Sequence, residues 1–279
     1  MSASRPRVGV VGHVEWIQFA VVAHVPRPGE IVHAREAFEL AAGGGAVAAV
    51  QLARLAGRAR FLTAVGDDEH GARAVAELRA LGVDVAAAVR HGARTRRGLT
   101  YLDDAHERTI TILDPRIVPH AADPLPWDAL AGLDAVYVTG GDADAVRAAR
   151  AARVLVVTTR ALDVLREARI EADAIVFSAA DAGERGDLSS LDPPPRMTFA
   201  TRGARGGHWH VRGGAEGSWD PEPPPARPVD AYGSGDSFAA GLTYGLGAGM
   251  APADAARLGA CCGAACLTGR GPYAAQPRG

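Results

Sequence analysis

Residues 230–238 read "DAYGSGDSF", and the apolar run AAGLTYGLG follows at once. A Gly-x-Gly turn where a helix begins leaves several main-chain N–H groups without intrahelical partners and aims them at one point. The aligned peptide dipoles favour negative charge at the same place. Glycine is required because a Cβ would hold phosphate oxygens away from the backbone, and because such turns often use positive φ. The stretch therefore reads as an anion site. Asp236 at its edge is a poor phosphate ligand, since both are negative, but a carboxylate there suits another task. It can take the proton of an incoming hydroxyl while the N–H groups hold the charge of a transferring phosphoryl group. The plainer alternative is that Asp236 only caps the helix that Ser237 and Phe238 begin.

The rest of the chain narrows the chemistry. Its 279 residues, 48% hydrophobic and 22% charged, suit one large α/β domain or two small ones, and a single substantial core is expected. A net charge of −2 favours a small ligand over nucleic acid or a membrane surface. No apolar run approaches the roughly eighteen residues of a membrane span, and the start, MSASRPRVGVVGHVEW, moves straight into a strand, so a cytoplasmic protein is expected. Cys261, Cys262 and Cys266 fit neither a disulfide framework nor a zinc site, and read as reduced core thiols. The sequence contains no lysine. That excludes a Walker A loop, a protein kinase and a pyridoxal phosphate enzyme, and leaves phosphate to main-chain amides, helix ends and arginine.

Short β-rich runs alternate with alanine-rich helical ones, from RVGVVGHV and GGAVAAVQLARLAG to VLVVTT, ALDVLREARI and DAIVFSA, which predicts a parallel sheet covered by helices on both faces. Leu52, Leu55, Val75, Leu78 and Leu81 recur at helical spacing and should face it. Two stretches break the alternation, 19–38 around PRPGE and 96–113 around DDAHE. Each reads as two short strands about a turn, and together they could form a small sheet acting as a lid. His208 and His210 would share one strand face, but no third metal ligand lies nearby. VGVVGHV lacks the GxGxxG pattern of a dinucleotide site.

In this order the segments resemble the ribokinase-like, or PfkB, family of carbohydrate and nucleoside kinases. The family's C-terminal signature is close to D-T-x-G-A-G-D-x-F, which DAYGSGDSF matches apart from Ala231 and Ser234. AGGGAVAAVQLARLAG is similar to the family's glycine pair opening a helix, and FLTAVGDDEHG to the strand and V-G-x-D-x-x-G turn that follow. LRALGVDV, HERTI, DAVYVTG and ATRGARGG also fall in family order, so the resemblance spans residues 7–273. It implies a single domain over 1–279 with a Rossmann-like three-layer α/β fold and a β-sheet lid from about 17–38 and 96–113. It further implies ATP, Mg²⁺ and phosphoryl transfer to a hydroxyl of a sugar or nucleoside-like small molecule.

Carried over by resemblance, Asp236 is the catalytic base and Gly233, Ser234 and Gly235 form the anion hole. Thr201, Gly203 and Gly206 form the nucleotide-binding turn, Gly43 and Gly44 lie under the sugar, and Asp230 matches a position used for a monovalent cation in some members. The family's N-x-x-E motif for metal and phosphate stands here as Ser178-Ala-Ala-Asp181. Val47 replaces an asparagine usual in the glycine-pair helix, and Ile17 replaces the aspartate usual after the first strand. Two polar sugar contacts are thereby lost, so a plain ribose or fructose kinase is not expected. Glu15 could supply a replacement acid, Trp16 a stacking face, and Arg108 in the lid a phosphate contact. The rival reading is a non-catalytic or regulatory ligand-binding protein on a kinase fold. The sequence leaves open a homodimer through the lid strands.

Overall fold

The computed structural model describes residues 5–105, 107–184 and 186–279. His106 of the HERTI stretch, Arg185 and residues 1–4 lie outside them. In chain order the strands are β1 (Val8–Val11), β2 (Glu15–Val21), β3 (Glu36–Ala42), β4 (Ala59–Gly66), β5 (Val83–Arg90), β6 (Arg97–Leu102), β7 (Arg108–Ile112), β8 (Ala135–Val138), β9 (Val154–Thr158), β10 (Ala174–Ser178), β11 (Met197–Thr201), β12 (Gly207–Val211) and β13 (Glu216–Trp219). The α-helices are α1 (Gly44–Ala56), α2 (Glu69–Ala80), α3 (Ala143–Ala149), α4 (Leu162–Ala168), α5 (Ser234–Gly247) and α6 (Pro252–Cys266).

A nine-stranded sheet runs in the order β13-β12-β11-β10-β9-β8-β1-β4-β5, parallel from β11 to β5 with β12 and β13 antiparallel at one edge. Its central strands are continuous apolar runs because both faces are covered. Successive side chains point to opposite faces. Val10, Phe61, Tyr137 and Val156 therefore enter the core shared with α1, α2, α5 and α6, while Val11, Leu62, Val138 and Leu155 enter the core shared with α3 and α4. This is the three-layer arrangement expected from the alternating pattern. Small residues let α5 and α6 approach closely, since a Cβ on Gly241 would stand 2.9 Å from Gly259 Cα.

The chain leaves β1 toward β4 and β5 on one side, and β8 to β11 build out on the other. The crevice outside the carboxyl ends of β1 and β8 is thus the topological switch point, where ligands bind in sheets of this kind. A four-stranded sheet, β3-β2-β6-β7, rises from that same edge, with β2 paired antiparallel to β3 and parallel to β6. It is the small sheet anticipated from sequence, with different bounds. β2 starts at Glu15, and its partner is residues 36–42 rather than the residues directly after PRPGE. The reason is local: Pro26, Pro28 and Gly29 hold that segment in a loop, and Ile31 is 86% exposed with nothing to pack on. β7 is an edge strand, exposed along its whole length.

Candidate active site

The DAYGSGDSF turn sets the first wall of the crevice. Gly233 precedes α5 with φ 81°, and no side chain caps the helix. A Cβ there would stand 2.7 Å from Pro272 Cβ and 3.0 Å from Val47 Cγ1, so only glycine closes this turn. Gly235 is exposed and a Cβ on it would meet no atom within 4 Å, leaving the first N–H groups of α5 accessible to an anion. Ser234 Oγ donates to Ala231 O at 3.1 Å. Asp230, 1% exposed, accepts from Tyr232 N and Gly271 N, both at 2.8 Å, and so ties the turn to the C-terminal segment. Its burial raises the carboxyl above its ordinary value against those two bonds.

The second wall is the glycine pair. Gly43 has φ 86° and its N–H donates to Tyr232 Oη at 3.2 Å. A Cβ on Gly43 would stand 2.9 Å from Glu15 Cγ, and one on Gly44 would stand 2.8 Å from Asp236 Oδ1. The pair is therefore the place where Asp236 and Glu15 come close to one backbone. Burial, then the negative charge of Glu184, raise Asp236 to about 6, with Arg108 and Arg160 opposing and Glu15 adding to the rise. A base of that strength is ionised at neutral pH yet still takes a proton readily.

Beyond the glycines lies a buried polar cluster. Glu15 and His13 are each 6% exposed. His13 Nε2 lies 3.3 Å from Glu15 Oε1 and His13 Nδ1 lies 3.4 Å from Thr139 Oγ1 at the end of β8. Burial, reinforced by the charges of Arg116 and Arg96 and resisted by Glu15, lowers His13 from its ordinary value, so the ring is neutral. Burial resists ionisation of Glu15, but the His13 hydrogen bond together with Arg96 and Arg116 outweighs it and keeps the carboxyl below its usual range. Ile17 and Val47 are both fully buried and bring no polar atom to this wall. Trp16 offers no stacking face: it packs in the core, donates to Glu39 Oε2 at 3.0 Å and carries the Arg73 guanidinium 4.3 Å from its ring centre.

The third side is the edge of β10 and β11, where Ser178 and Thr201 stand in register. The Gly203–Arg205 turn follows, with Gly203 at φ 58° and Gly206 at φ 70°. Asp181 lies beside this edge in an ion pair with Arg160 at 2.6 Å. Sequence reasoning missed Glu184, which also binds Arg160, at 3.0 Å, and accepts from Ser178 N at 2.7 Å. It is Glu184, three residues beyond the SAAD segment, whose charge is felt at Asp236. His13, Arg96, Arg116 and Arg160 were missed as well. Only the first carried a signal, the i, i+2 spacing of His13 and Glu15 in GHVEW, which puts both on one side of an extended chain.

Arg108 spans the crevice from β7, its Nη1 donating to Ala231 O at 3.2 Å. His208 and His210 are exposed on β12, far down the sheet order from β1, and among the described residues no three of His, Cys, Asp and Glu gather into a metal cage. Cys262 and Cys266 are buried thiols and Cys261 is exposed. No described helix is long and apolar enough to cross a membrane. A cavity of about 430 Å³ lined by Arg5, Arg54 and Arg278 lies at the opposite end of α1 from the glycine pair.

The chain matches the pfkB family carbohydrate kinase profile over residues 5–182 and 190–278. Among solved structures it is similar to a protein from Agrobacterium tumefaciens assigned as a ribokinase, at 25% identity and a TM-score of 0.83, covering 98% of this chain and 95% of that one. An Arabidopsis thaliana ribokinase solved with ribose and ATP shares the fold at 19% identity and a TM-score of 0.78, with 98% and 96% covered. A Methanocaldococcus jannaschii nucleoside kinase shares it at 14% identity and a TM-score of 0.71, with 98% and 96% covered. With the family profile spanning nearly the whole chain and the glycine turn, glycine pair and small sheet all in place, the protein belongs to the pfkB family of carbohydrate kinases.

Proposed function

We propose that this kinase transfers the γ-phosphoryl group of ATP to a hydroxyl of a sugar or sugar-like molecule, with Asp236 as the general base. The observation that carries the reading is the carboxylate raised to about 6 and set against Gly44 at the uncapped start of α5. The acceptor hydroxyl lies over the glycine pair, its proton passes to Asp236, its oxygen forms the new O–P bond, and the bond to the leaving ADP breaks. The amides of residues 233–235 hold the charge on the moving group. Ser178, Thr201, Gly203 and Gly206 border the nucleotide, and the small sheet excludes water as a lid.

Mg²⁺ would neutralise phosphate charge. It needs only one or two carboxylates besides the phosphates, and Asp181 and Glu184, both paired with Arg160 at this edge, would supply them. Asp230 retains a monovalent-cation role only if its oxygens serve a cation in addition to their two main-chain donors.

Asp236→Asn should lower kcat by about 10²–10⁴ while KM for ATP stays within about twofold. ADP release measured with a responsive acceptor decides it; turnover at the parent rate removes the base assignment. The non-catalytic alternative has less in its favour, since both the amide cradle and the acid beside it are intact.

A further inference from the structure

The acceptor wall holds guanidinium groups that no hydrogen bond satisfies among the described residues. Arg96 precedes β6 and Arg116 follows β7, so both stand at the root of the lid hairpin. Other arginines around the crevice are engaged: Arg160 by Asp181 and Glu184, Arg97 by Asp114 at 2.8 Å, Arg90 by Asp123, and Arg108 by Ala231 O. Arg96 Nε lies 3.3 Å from Glu15 Oε1, but its N–H is buried and not aligned for a hydrogen bond with any acceptor. Arg116 is exposed to solvent and has no ion pair or hydrogen bond among the described residues. Its segment turns back onto the cleft at Val118, whose Cγ1 would lie 3.0 Å from a Cβ on Gly140, and that Cβ would lie 3.9 Å from His13 Nδ1. The charge of Arg116 is accordingly felt at His13, Glu15 and Arg96.

Arg96 and Arg116 share the one buried carboxylate of Glu15 beside a neutral imidazole, and neither guanidinium has a hydrogen bond to an acceptor among the described residues. On the same wall, Ile17 and Val47 have no polar atom with which to read neutral hydroxyls. A guanidinium recognises carboxylate in a planar, two-pronged fashion. A phosphate dianion would be repelled by Glu15 and Asp236 about twice as strongly as a carboxylate.

Resting on the kinase reading above, we propose that the acceptor is a monoanionic polyhydroxy acid, its carboxylate held by Arg96 and Arg116 and its reacting hydroxyl presented to Asp236.

The full-length chain would be tested with aldonates from erythronate to gluconate, the matching alditols and the alditol phosphates. Two readouts run in parallel: ADP release with MgATP, and calorimetric binding with a non-hydrolysable ATP analogue. At least one aldonate should exceed its alditol and its alditol phosphate by about 10–10²-fold in binding and in kcat/KM. Arg116→Gln should erase most of that preference, Arg116→Lys should restore part of it, and the alditols should be unaffected by either change. Equal use of alditols, preference for the phosphates, an equal loss for all acceptors in Arg116→Gln, or no aldonate binding at all overturns the proposal. Efficient turnover of alditols alone would leave the kinase reading standing without it. Selective aldonate binding with no ADP release would leave the carboxylate site standing and remove the phosphoryl transfer. Asp236→Asn separates the two, because it should lower ADP release by about 10²–10⁴ while keeping aldonate binding.

Discussion

At the start of α5 the groups that meet the cleft are main-chain amides on a glycine turn, whereas on the facing wall, from His13 and Glu15 to Arg96, they are side chains. The first wall matches the family signature almost residue for residue; the second departs from it at Ile17 and Val47 and substitutes a His–Glu–Arg cluster. Amides can be presented to phosphate in few ways, each needing glycine and a helix end, so that wall has little freedom to vary. Side chains that read an acceptor can be exchanged one at a time, at the expense of whatever hydroxyl they bonded. On the proposed reading, transfer chemistry and substrate choice are carried by different materials in one crevice.

Gly43 and Gly44 join the two walls and offer the sharpest way to separate them. A Cβ on Gly44 would press on Asp236 Oδ1, the free end of a side chain that can rotate away. Gly44→Ala should therefore fold normally yet displace the base, lowering kcat by about 10². Gly43→Ala should do the reverse. Its φ of 86° with ψ 156° is a conformation essentially reserved to glycine and costs an alanine about 1–3 kcal/mol, with a further strain against Glu15. A fall in Tm of roughly 2–12 °C is expected, with a smaller change in kcat. If thermal melts and initial rates show Gly44→Ala at full activity, the contact between the walls does not position the base.

The next effect is on pH dependence. As a base raised to about 6, Asp236 should make log kcat/KM rise with unit slope below that pH and level off above it, tenfold per pH unit. The stability consequence has the opposite sign. A carboxyl whose folded pKa is raised binds its proton more tightly in the native state, so the fold carries a penalty that is absent below about 3.8 and complete above about 6. The penalty is at most about 3 kcal/mol. Asp236→Asn should melt higher than the parent at pH 8 and at the same temperature near pH 4. A constant difference across that range would mean the carboxyl is not perturbed.

Much of the molecule was legible in sequence because periodicity and glycine placement act locally. Strands such as VGVV and VLVVT are apolar runs with no other use, and Gly233 is fixed by a turn that a Cβ would obstruct. The lid strand at residues 36–42 was not legible, since EAFELAA carries a helix-like composition and becomes a strand by pairing with β2. Glu184 and Arg160 were missed for a similar reason: they lie 24 residues apart and meet only when β9 and β10 are paired. The chain contains no asparagine, so Val47 and Ser178 in positions where amides are usual say less about this pocket than Ile17 does. Aspartate is plentiful elsewhere in the chain, and its absence there is a property of the site.

Arg108 gives the smallest expected effect and the most direct probe of how the side-chain wall acts on the main-chain one. It is anchored on an exposed edge strand, yet it donates to Ala231 O inside the glycine turn and its charge works against the raised pKa of Asp236. Arg108→Ala removes one charged donor, worth about 1.5 kcal/mol, so KM for ATP should rise by roughly threefold to tenfold. Removing the positive charge should also let Asp236 rise, moving the acid limb of the rate profile to higher pH by a fraction of a unit. Both changes should shrink in high salt, because the group is solvent-exposed and its field is screened. A limb that stays in place while KM rises would assign Arg108 to phosphate alone, and a limb that moves to lower pH would show that the guanidinium does not face the turn in solution.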